Sequence, residues 1–382
     1  MQSLRILFLN QISHIGGAEK VLLLLAKQLV SRGHYVVIGA PGSGPLAEWS
    51  ISLGVRFEEV QIPQVTRKIE PSALLSAFWN SIKAAIQISK IVKNHDIDVI
   101  HANHLRAILP LLVKNPGCPI VWQVHDVFRN KWPNRQLLSA IGKRVKLAVC
   151  VSKFVRDNIV KLGFPEEKSN VLHNVIEPVQ RTVNRSVVLA QLGIPEEARV
   201  VALVGQIVPW KGQHILVKAA SQILVVHPNV HFVIVGKAYP GAGERYEEDL
   251  KRMVKESRLW KNFHFVGFQR DVLSIISVSD VLVHTSTKSD PFPTVLLEGL
   301  SVGTAIVASR AGGVPEIIKD RENGILVEPG NAKELANAVI ELLKDKFLLD
   351  NIRKKAKVSS IKFQDIGHWT DTWETYYAKC IN

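Results

Sequence analysis

The chain has 382 residues, too many for one doubly wound domain, so two domains are expected. Hydrophobic residues make up 47% of it, which excludes a disordered protein, and three widely separated cysteines (Cys118, Cys150 and Cys380), read as unpaired, fit a reducing compartment. The formal net charge is +14, and no stretch approaches the roughly 20 apolar residues of a membrane span, so we expect a soluble or peripheral protein.

Short β-branched runs alternate with longer helical segments along the first half. The predicted helices there include 18–32 and 72–93, and the predicted strands are LRILFLN, YVVIGA, DVIHAN, PIVWQVHD, LAVCVS and NVLHNVI. The alternation restarts in the second half with VVALVGQ, VHFVIVGK, FHFVGF, DVLVHTS, TAIVASR and GILVEP, and the residues from about Asn331 onward read as helix only. This pattern predicts two α/β domains with parallel sheets, divided after Asn174.

In open parallel sheets, ligands bind beyond the carboxyl ends of the strands, so the residues that follow strands are the candidate site. Ser13–Glu19 follows the first strand, and Gly16 and Gly17 there let backbone N–H groups approach an anion; a plain tight turn explains the pair equally well. Gly205–Gly212 follows the first strand of the second half, and Lys211 supplies a point charge. This loop is not a Walker motif and is weakly specific alone.

The segment SDPFPTVLLEGL, residues 289–300, places two carboxylates around a Pro-rich turn and an apolar run. Thr294 is predicted at a helix N-terminus, whose N–H groups suit a phosphate, and Glu298 lies one turn further on the same face. A carboxylate there can accept the hydroxyls of a ribose, with Asp290 toward the other end of the ligand. Taken alone, a helix-dipole role for Glu298 and a turn cap at Asp290 explain the segment better.

Several other patterns are discounted. Residues 42–47 spell the dinucleotide fingerprint GxGxxA, but they follow the second strand rather than the first. The D-x-D at 96–98 reads as a turn into a strand rather than a metal site. Of the histidines nearby, His101 is a candidate to face the ligand, and His104 is expected to cap the next helix.

Most of the positive charge lies in the first half. Residues 60–170 contain 17 Lys and Arg against 7 Asp and Glu. Four aromatic residues are interleaved with this charge: Phe78, Trp79, Phe128 and Trp132. The pattern fits a surface for anionic lipid headgroups or a lipid-phosphate substrate, and a plain solvated basic face explains it equally well. No nucleic acid is expected, because no nucleic-acid-binding motif accompanies the charge.

Five motifs occur in one order: IGGAEK after the first strand, VHD at 124–126, GQIVPWKG at 205–212, the D-x7-E of Asp290 and Glu298, and AGGVPE at 311–316. Together they resemble the retaining glycosyltransferases of the GT-B fold, family 4 type, which carry E-x7-E and GRLxxxKG motifs. The resemblance covers essentially the whole chain, and its C-terminal half is the more specific part.

The resemblance implies a GT-B fold, with two Rossmann-like parallel-sheet domains facing across a cleft and a C-terminal helix crossing back. The acceptor domain would comprise residues 1–176 and a helix at about 360–382, and the donor domain residues 177–359. A nucleotide-diphosphate sugar is the expected donor substrate. No metal and no other cofactor is expected.

The resemblance assigns three catalytic residues: Lys211 at the diphosphate, Asp290 at the hydroxyls of the transferred sugar, and His125 at the sugar near the reacting carbon. The other donor-binding residues that it implies are Gly16, Gly17, Gly205, Gln206, Val266, Gly267, Phe268, Phe292, Pro293, Thr294, Val295 and Glu298. Of these, residues 266–268 would hold the base and Glu298 the ribose.

The backbone at 292–295 would contact the diphosphate, and the Gly16–Gly17 turn would lie close to the phosphates or the acceptor. Two departures from the family pattern affect this site. Gln206 replaces an Arg, so Lys211 carries more of the charge, and Asp290 replaces a Glu and is one methylene shorter. Both predict weaker donor binding or an altered sugar preference.

The implied function is that of a retaining, metal-independent hexosyltransferase that uses a UDP-sugar, with UDP-glucose as the first choice. The acceptor would be a glycan or a lipid-linked sugar in cell-envelope or exopolysaccharide biosynthesis, at the inner face of the cytoplasmic membrane. The acceptor hydroxyl would attack from the face that the leaving phosphate occupies, because no carboxylate is an evident nucleophile. The alternatives are a catalytically weak or inactive nucleotide-sugar-binding module, a sugar phosphorylase on the same fold, and a nicotinamide dehydrogenase, for which the fingerprint is poorly placed.

Overall fold

The computed structural model of the protein describes residues 3–42, 44–63, 71–179, 183–238 and 243–381. The chain folds into two compact units, Met1–Val175 with Asp365–Asn382, and Ile176–Gln364. Each unit is built on one parallel sheet with helices between successive strands. The predicted fold class, two Rossmann-like domains, is confirmed.

The sheet of the first unit has seven strands: β1 (Arg5–Asn10), β2 (Tyr35–Ala40), β3 (Arg56–Glu59), β4 (Val99–Asn103), β5 (Ile120–Val124), β6 (Leu147–Cys150) and β7 (Ser169–Val171). Their order across the sheet is β3-β2-β1-β4-β5-β6-β7. The helices between them are α1 (Gly17–Ser31), α2 (Pro45–Ser52), α3 (Pro71–Asn94), α4 (Leu105–Val113), α5 (Trp132–Arg144) and α6 (Lys153–Lys161). The central strands are apolar runs because helices cover both faces of a parallel sheet.

The strand β3 corrects the sequence prediction, which placed no strand there. Its sequence is RFEE, with three charged residues, and it pairs with β2 at the edge of the sheet. An edge strand is partly exposed to solvent, so it lacks the apolar run that marks a buried strand. The twelve strands that were predicted are all present.

The sheet of the second unit has six strands: β8 (Arg199–Val204), β9 (Val230–Val235), β10 (Phe263–Gly267), β11 (Val281–His284), β12 (Ala305–Ser309) and β13 (Ile325–Val327). Their order is β10-β9-β8-β11-β12-β13. The helices are α7 (Arg185–Gln191), α8 (Gln213–Val226), α9 (Glu244–Glu256), α10 (Val272–Val278), α11 (Thr294–Val302), α12 (Val314–Ile317), α13 (Ala332–Lys344) and α14 (Lys346–Ser360).

The last helix, α15 (Ile366–Ile381), belongs to the first unit. Trp373 and Tyr377 of this helix are fully buried in the core around β1 and α1. On its polar side, Glu374 accepts hydrogen bonds from Arg32 at 2.7 Å and pairs with His34 at 2.8 Å. These contacts make α15 an integral part of a core whose other buried residues lie between Ile6 and Val175.

The two sheets share one connectivity around their first strands. In the first unit β1 lies between β2 and β4, and in the second β8 lies between β9 and β11. The strand order reverses at these positions, where doubly wound sheets bind ligands beyond the carboxyl ends of the strands. The polar residues that follow these central strands are therefore the candidate site.

Candidate active site

At the carboxyl edge of the second sheet, three loops are bonded to one another. They follow β8, β11 and β12. The Thr285 hydroxyl, after β11, donates to the carbonyl of Lys211, after β8, at 2.9 Å. The amide of Gly313, after β12, donates to the carbonyl of Asp290 at 2.8 Å. The loops therefore form one connected frame with Lys211 and Asp290 inside it.

The Asp290 carboxylate is the centre of this frame and is buried. Its Oδ2 atom lies 2.6 Å from Lys211 Nζ, 3.1 Å from His284 Nε2 and 3.5 Å from Ser286 Oγ. Burial alone would raise the pKa of Asp290, but the Lys211 charge and the His284 hydrogen bond hold it well below its usual range. Asp290 is therefore a permanent negative charge and a hydrogen-bond acceptor rather than a proton donor.

Lys211 ends a short 3-10 turn, Pro209–Lys211, just before α8. Besides its pairing with Asp290, its ammonium group lies 4.4 Å from the centroid of the Trp210 ring, a cation–π distance. The sequence assigned Lys211 to a diphosphate and Asp290 to a sugar, and the structure brings the two together as an ion pair. Part of the Lys211 charge is thus already compensated by protein.

Gly312 fixes the backbone of Asp290. Its φ is +67°, and a Cβ atom added there would lie 2.2 Å from the Asp290 carbonyl oxygen. Only glycine combines that left-handed backbone with so close an approach. The glycine of the AGGVPE motif is therefore required for the position of the acid.

Helix α11 begins at Thr294, as predicted, and Pro293 is its N-cap residue. Its first N–H groups have no acceptor within the helix and face the start of the frame. Pro293 has no N–H, so of the four backbone positions expected at the diphosphate, residues 292–295, only Phe292, Thr294 and Val295 can donate. The Phe292 ring is buried, with its centroid 5.9 Å from that of Phe363. It anchors the loop rather than contacting a ligand.

Glu298 lies one turn inside α11 and is buried, at 8% exposure. Val295, in the first turn, is half-buried. Since residues four apart share a helix face, Glu298 lies on the same face of α11 as Thr294, one turn further from the helix start.

Gly205 and Gln206 follow β8 at the same edge of the sheet. The Gln206 carbonyl accepts a hydrogen bond at 2.9 Å from Gln213 Nε2, in the first turn of α8. The loop is thus tied to the helix that follows it. The Gln206 side chain brings no charge, whereas the family has an arginine at this position.

Val266, Gly267 and Phe268 lie at the end of β10, the edge strand of the second sheet. The Val266 carbonyl accepts a hydrogen bond from Gln269 Nε2 at 2.7 Å, and the Gly267 carbonyl accepts one from the Gly236 amide at 2.8 Å. Phe268 is 50% exposed. These residues lie at the carboxyl end of β10, as predicted, and β10 is two strands away from β8. The exposed Phe268 ring does not pack in the core.

In the first unit, the IGGAEK motif forms the start of α1. Gly16 is the N-cap residue, and Glu19 Oε2 accepts a hydrogen bond from its amide at 3.0 Å. Glu19 Oε1 accepts another from Asn10 Nδ2, at the end of β1, at 3.2 Å. The turn that contains Gly16 and Gly17 is therefore fixed by a buried carboxylate, which the sequence analysis did not single out.

His125 directly follows β5, as predicted, and its Nε2 atom is buried with no hydrogen-bond partner among the described residues. Its ring lies 4.9 Å from that of His104. His104 is the N-cap residue of α4, as expected, but its side chain makes no cap bond, and Asp126 Oδ2 accepts the first amide of α4 instead, at 3.0 Å. The His104 backbone has a positive φ of +85°.

The comparison with known proteins covers nearly all of the chain. Residues 185–359 match the family model described as glycosyl transferases group 1, and residues 15–180 match glycosyltransferase family 4. The fold also matches Anabaena HepE in complex with UDP-glucose, with a TM-score of 0.86 and 25% identity over 98% of this chain and 99% of that one.

The chain belongs to the family 4 glycosyltransferases of the GT-B fold.

Relatives of this glycosyltransferase act in several branches of glycan assembly. It is 24% identical to the N-acetyl-α-D-glucosaminyl L-malate synthase of Bacillus anthracis, over 90% of this chain and 89% of that one. It is 25% identical to the lipopolysaccharide core biosynthesis glycosyltransferase LpsE of Rhizobium meliloti, over 89% of each chain. Transfer of a sugar is therefore its reaction.

The glycosyltransferase does not expose His101 to a ligand, in contrast to the expectation. His101 is fully buried, with Nδ1 2.7 Å from the Tyr377 hydroxyl and Nε2 3.0 Å from Gln123 Oε1. Burial lowers the pKa of His101 to about 3. It is a neutral packing residue between the sheet and α15.

The discounted motifs have structural roles in this glycosyltransferase. Asp98 Oδ2 accepts the amide of Arg5 at 2.7 Å, and Asp96 has a φ of +46°, so the D-x-D forms a turn between α3 and β4. Of the fingerprint at 42–47, residue 43 lies outside the described residues and Pro45 begins α2. Among the described residues no three His, Cys, Asp or Glu are grouped to hold a metal, and no described helix could cross a membrane.

Proposed function

We propose that this protein is a retaining hexosyltransferase that uses a UDP-sugar, with UDP-glucose as the first choice. The observation that carries the proposal is the buried Lys211–Asp290 pair, 2.6 Å apart, beside the start of α11. A nucleotide diphosphate and a sugar need one cationic and one accepting group at that spacing. The UDP-glucose complex of HepE, whose fold this chain shares, supports the choice of donor.

In this proposal the phosphates bind at the start of α11. The amides of Thr294 and Val295 and the Lys211 ammonium group face the two phosphates, and the positive end of the helix dipole adds to them. Glu298, one turn further, accepts the ribose hydroxyls. When the anomeric bond breaks, negative charge develops on the leaving diphosphate, where these donors already lie.

The reaction is proposed to retain configuration at the anomeric carbon. Asp290 is held by Lys211 and His284 through one oxygen, so it is a poor nucleophile and serves as an acceptor for sugar hydroxyls. The acceptor hydroxyl then attacks from the face of the leaving diphosphate, which takes the proton. Metal independence is also proposed, because Lys211 and the helix amides supply the positive charge that a metal provides elsewhere.

The acceptor is proposed to be a glycan or a lipid-linked sugar in cell-envelope or exopolysaccharide biosynthesis. The lipopolysaccharide role of the relative LpsE supports this choice. The first unit supports it as well: Trp79, Lys83, Ile86 and Lys90 of α3 are exposed at helical spacing on one face. Such a stripe of aromatic, apolar and basic residues suits the interface of an anionic membrane.

The donor is tested by incubating the purified protein with UDP-, GDP- and ADP-sugars, with and without EDTA, and measuring nucleotide release. We expect release from UDP-glucose that EDTA does not change and that falls at least about 100-fold in Lys211→Ala, as for loss of one transition-state donor. Release should also fall in Glu298→Ala, which removes the acceptor of the ribose hydroxyls. Lys261→Ala, an exposed lysine of the same unit, is the matched control. No release and no thermal shift with any nucleotide would overturn the proposal.

One alternative remains as an outcome of this experiment. Gln206 and the paired Asp290 favour a nucleotide-sugar-binding module with little or no turnover. Binding of UDP-glucose without release, even when glycan acceptors are supplied, would establish that alternative. Restoring the family residues in a Gln206→Arg, Asp290→Glu double variant should then raise turnover.

Membrane binding is tested with vesicles. We expect tighter binding to vesicles with anionic lipid than to neutral ones, weakened in Trp79→Ser. Trp260→Ser is the control, because Trp260 is exposed to nearly the same extent, 55% against 56%, but belongs to the second unit. Equal binding to both kinds of vesicle would refute a membrane partner.

A further inference from the structure

A cluster of buried and half-buried polar residues lies at the carboxyl edge of the first sheet, and the family resemblance assigns a role in sugar binding to one of them, His125. The other members are Asn10 at the end of β1, Glu19 in the first turn of α1, His104 after β4 and Asp126 after β5. Three different strand ends therefore contribute to one cluster. Buried polar groups are kept where they satisfy one another or a ligand.

Glu19 is the inner end of the cluster. It is buried at 3% exposure, and His104 Nε2 lies 3.5 Å from its Oε1 atom. The same carboxylate holds the Gly16 amide and the Asn10 side chain. A buried carboxylate is costly unless it is paired, so the charge of Glu19 calls for a cation, and His104 is in position to supply it.

His104 has a backbone conformation that non-glycine residues rarely adopt, with a φ of +85°. Two hydrogen bonds hold it: its amide donates to the Gln123 carbonyl at 3.3 Å, and the next amide, of Leu105, donates to Asp126 Oδ2 at 3.0 Å. Such strain is retained when the surroundings fix it, and it concentrates at functional sites. The result is a ring placed between Glu19 and His125.

His125 is the outer end of the cluster. Its ring lies 4.9 Å from the His104 ring at an interplanar angle of 41°. Its Nε2 atom is buried and has no partner in the described part of the chain, which is unfavourable for a polar atom. A hydroxyl of a bound sugar would satisfy that atom.

We propose that His104 is a positioning residue that links Glu19, under the Gly16–Gly17 turn, to His125 and holds the His125 ring with Nε2 available to a sugar hydroxyl. This inference rests on the proposed function for the nature of the ligand. It adds a residue pair, Glu19 and His104, that orients a ligand-binding histidine without touching the ligand.

The charges around the cluster follow from the same geometry. Burial and the charge of Arg106 in α4 lower the pKa of His104. Glu19 and Asp126 raise it, and the net shift is upward. Burial lowers the pKa of His125 well below its usual value, and a positive charge on His104 lowers it further. His104 therefore holds a proton more strongly than an ordinary histidine, and His125 stays neutral with one ring nitrogen as donor and the other as acceptor.

The link is tested by NMR on the full chain labelled at histidine. His104→Gln removes the charge next to His125 and should raise the pKa of His125, and Glu19→Gln, which keeps the shape of the side chain, should lower the pKa of His104. His95→Gln is the matched control, since His95 is a buried histidine that precedes β4, at its other end. Unchanged titration of His125 in His104→Gln, in a variant that melts like His95→Gln, would overturn the proposal.

Ligand binding is read from the same spectra with UDP-glucose and, separately, methyl α-glucoside as probes. We expect the Nε2 resonance of His125 to shift in the wild type and to shift much less in His104→Gln. His284, next to Asp290, reports on the donor site independently. A response of His284 without one of His125 would sink this inference alone, whereas silence of both histidines would count against the proposed function.

Activity gives a third reading. The pKa of His125 should rise in His104→Gln, because a neighbouring positive charge is removed while burial remains, so activity relative to wild type should fall more at acid pH than at pH 8. A purely structural defect would lower activity by the same factor at every pH. That result would refute a positioning role.

Discussion

Asp290 shows how much of the site depends on one side chain. Its carboxylate is buried, and Lys211, His284 and Ser286 all approach the same oxygen. A glutamate, the family's residue, would reach one methylene further from the same backbone. The shorter Asp290 carboxylate instead pairs with Lys211. This pairing reduces the positive charge that Lys211 can offer to a diphosphate.

Neutralising Asp290 should harm both stability and activity. In Asp290→Asn, Lys211 and His284 lose their counter-charge in a buried setting, so we expect the free energy of unfolding to fall by about 3 kcal/mol, as when a buried ion pair is broken. Nucleotide release should fall as well. Asp320→Asn is the control: its partner is Arg310, both side chains are more than one third exposed, and we expect a change within about 1 kcal/mol. Thermal unfolding and nucleotide release measure the two effects, and equal stability of the two variants would contradict the buried-pair account.

The lowered pKa of His101 predicts that the folded chain loses stability in acid. Its pKa is about 3 in the folded chain against 6.5 for an unperturbed histidine, so below pH 6.5 the unfolded chain binds the extra proton. Stability from this residue is complete above pH 6.5 and is lost as the pH falls toward 3, by up to about 2 kcal/mol at pH 5. His101→Gln should therefore flatten the change in unfolding free energy between pH 7.5 and 5. An equally steep dependence in the variant would show that another group causes it.

At the scale of elements, the loops after β8, β11 and β12 work as one unit because glycines let them approach closely. Gly312 and Gly303 provide a matched test, with φ values of +67° and +73°. An added Cβ would lie 2.2 Å from the Asp290 carbonyl oxygen at Gly312, whereas at Gly303 the nearest atom is 3.5 Å away.

Both alanine variants bear the cost of a left-handed backbone, about 1–2 kcal/mol. Gly312→Ala must in addition displace Asp290, so we expect a larger drop in melting temperature and a loss of nucleotide release, neither of which Gly303→Ala should show to the same extent. Thermal unfolding and the release assay distinguish them. Equal behaviour would mean that the close approach to Asp290 is unimportant.

Element identity was largely predictable, and the exception has a physical reason. The nine inner strands must be apolar on both faces, so they were visible as short apolar runs, and the edge strands β7, β10 and β13 also lie in largely apolar runs. The edge strand β3 was not visible, because RFEE pairs on one side and meets solvent on the other. The start of α11 at Thr294 was also predicted, since a proline before a polar residue marks a helix start.

At the scale of the whole molecule, the chain ends in the unit where it began. Trp373 of α15 is fully buried with β1 and α1, although hundreds of residues separate them in sequence. Trp373→Ala should lower the free energy of unfolding of the first unit by about 3–5 kcal/mol, as for a large aromatic residue removed from a core.

Trp79→Ala is the control for this prediction, because Trp79 lies in the same unit and is 56% exposed. It should leave the melting temperature nearly unchanged. Since two units can unfold separately, the measurement is a calorimetric scan that resolves both transitions. A shift of the second unit's transition alone in Trp373→Ala would contradict the assignment of α15.

The sequence by itself determined the two α/β units, the strand ends that carry the site and the family, since apolar runs, glycine turns and the spacing of Asp290 and Glu298 are local features. It did not determine which polar groups meet. The pairing of Lys211 with Asp290, and of Glu19 with His104, joins residues from different strand ends. Only the order of strands across each sheet brings those ends together, and burial then sets their charges.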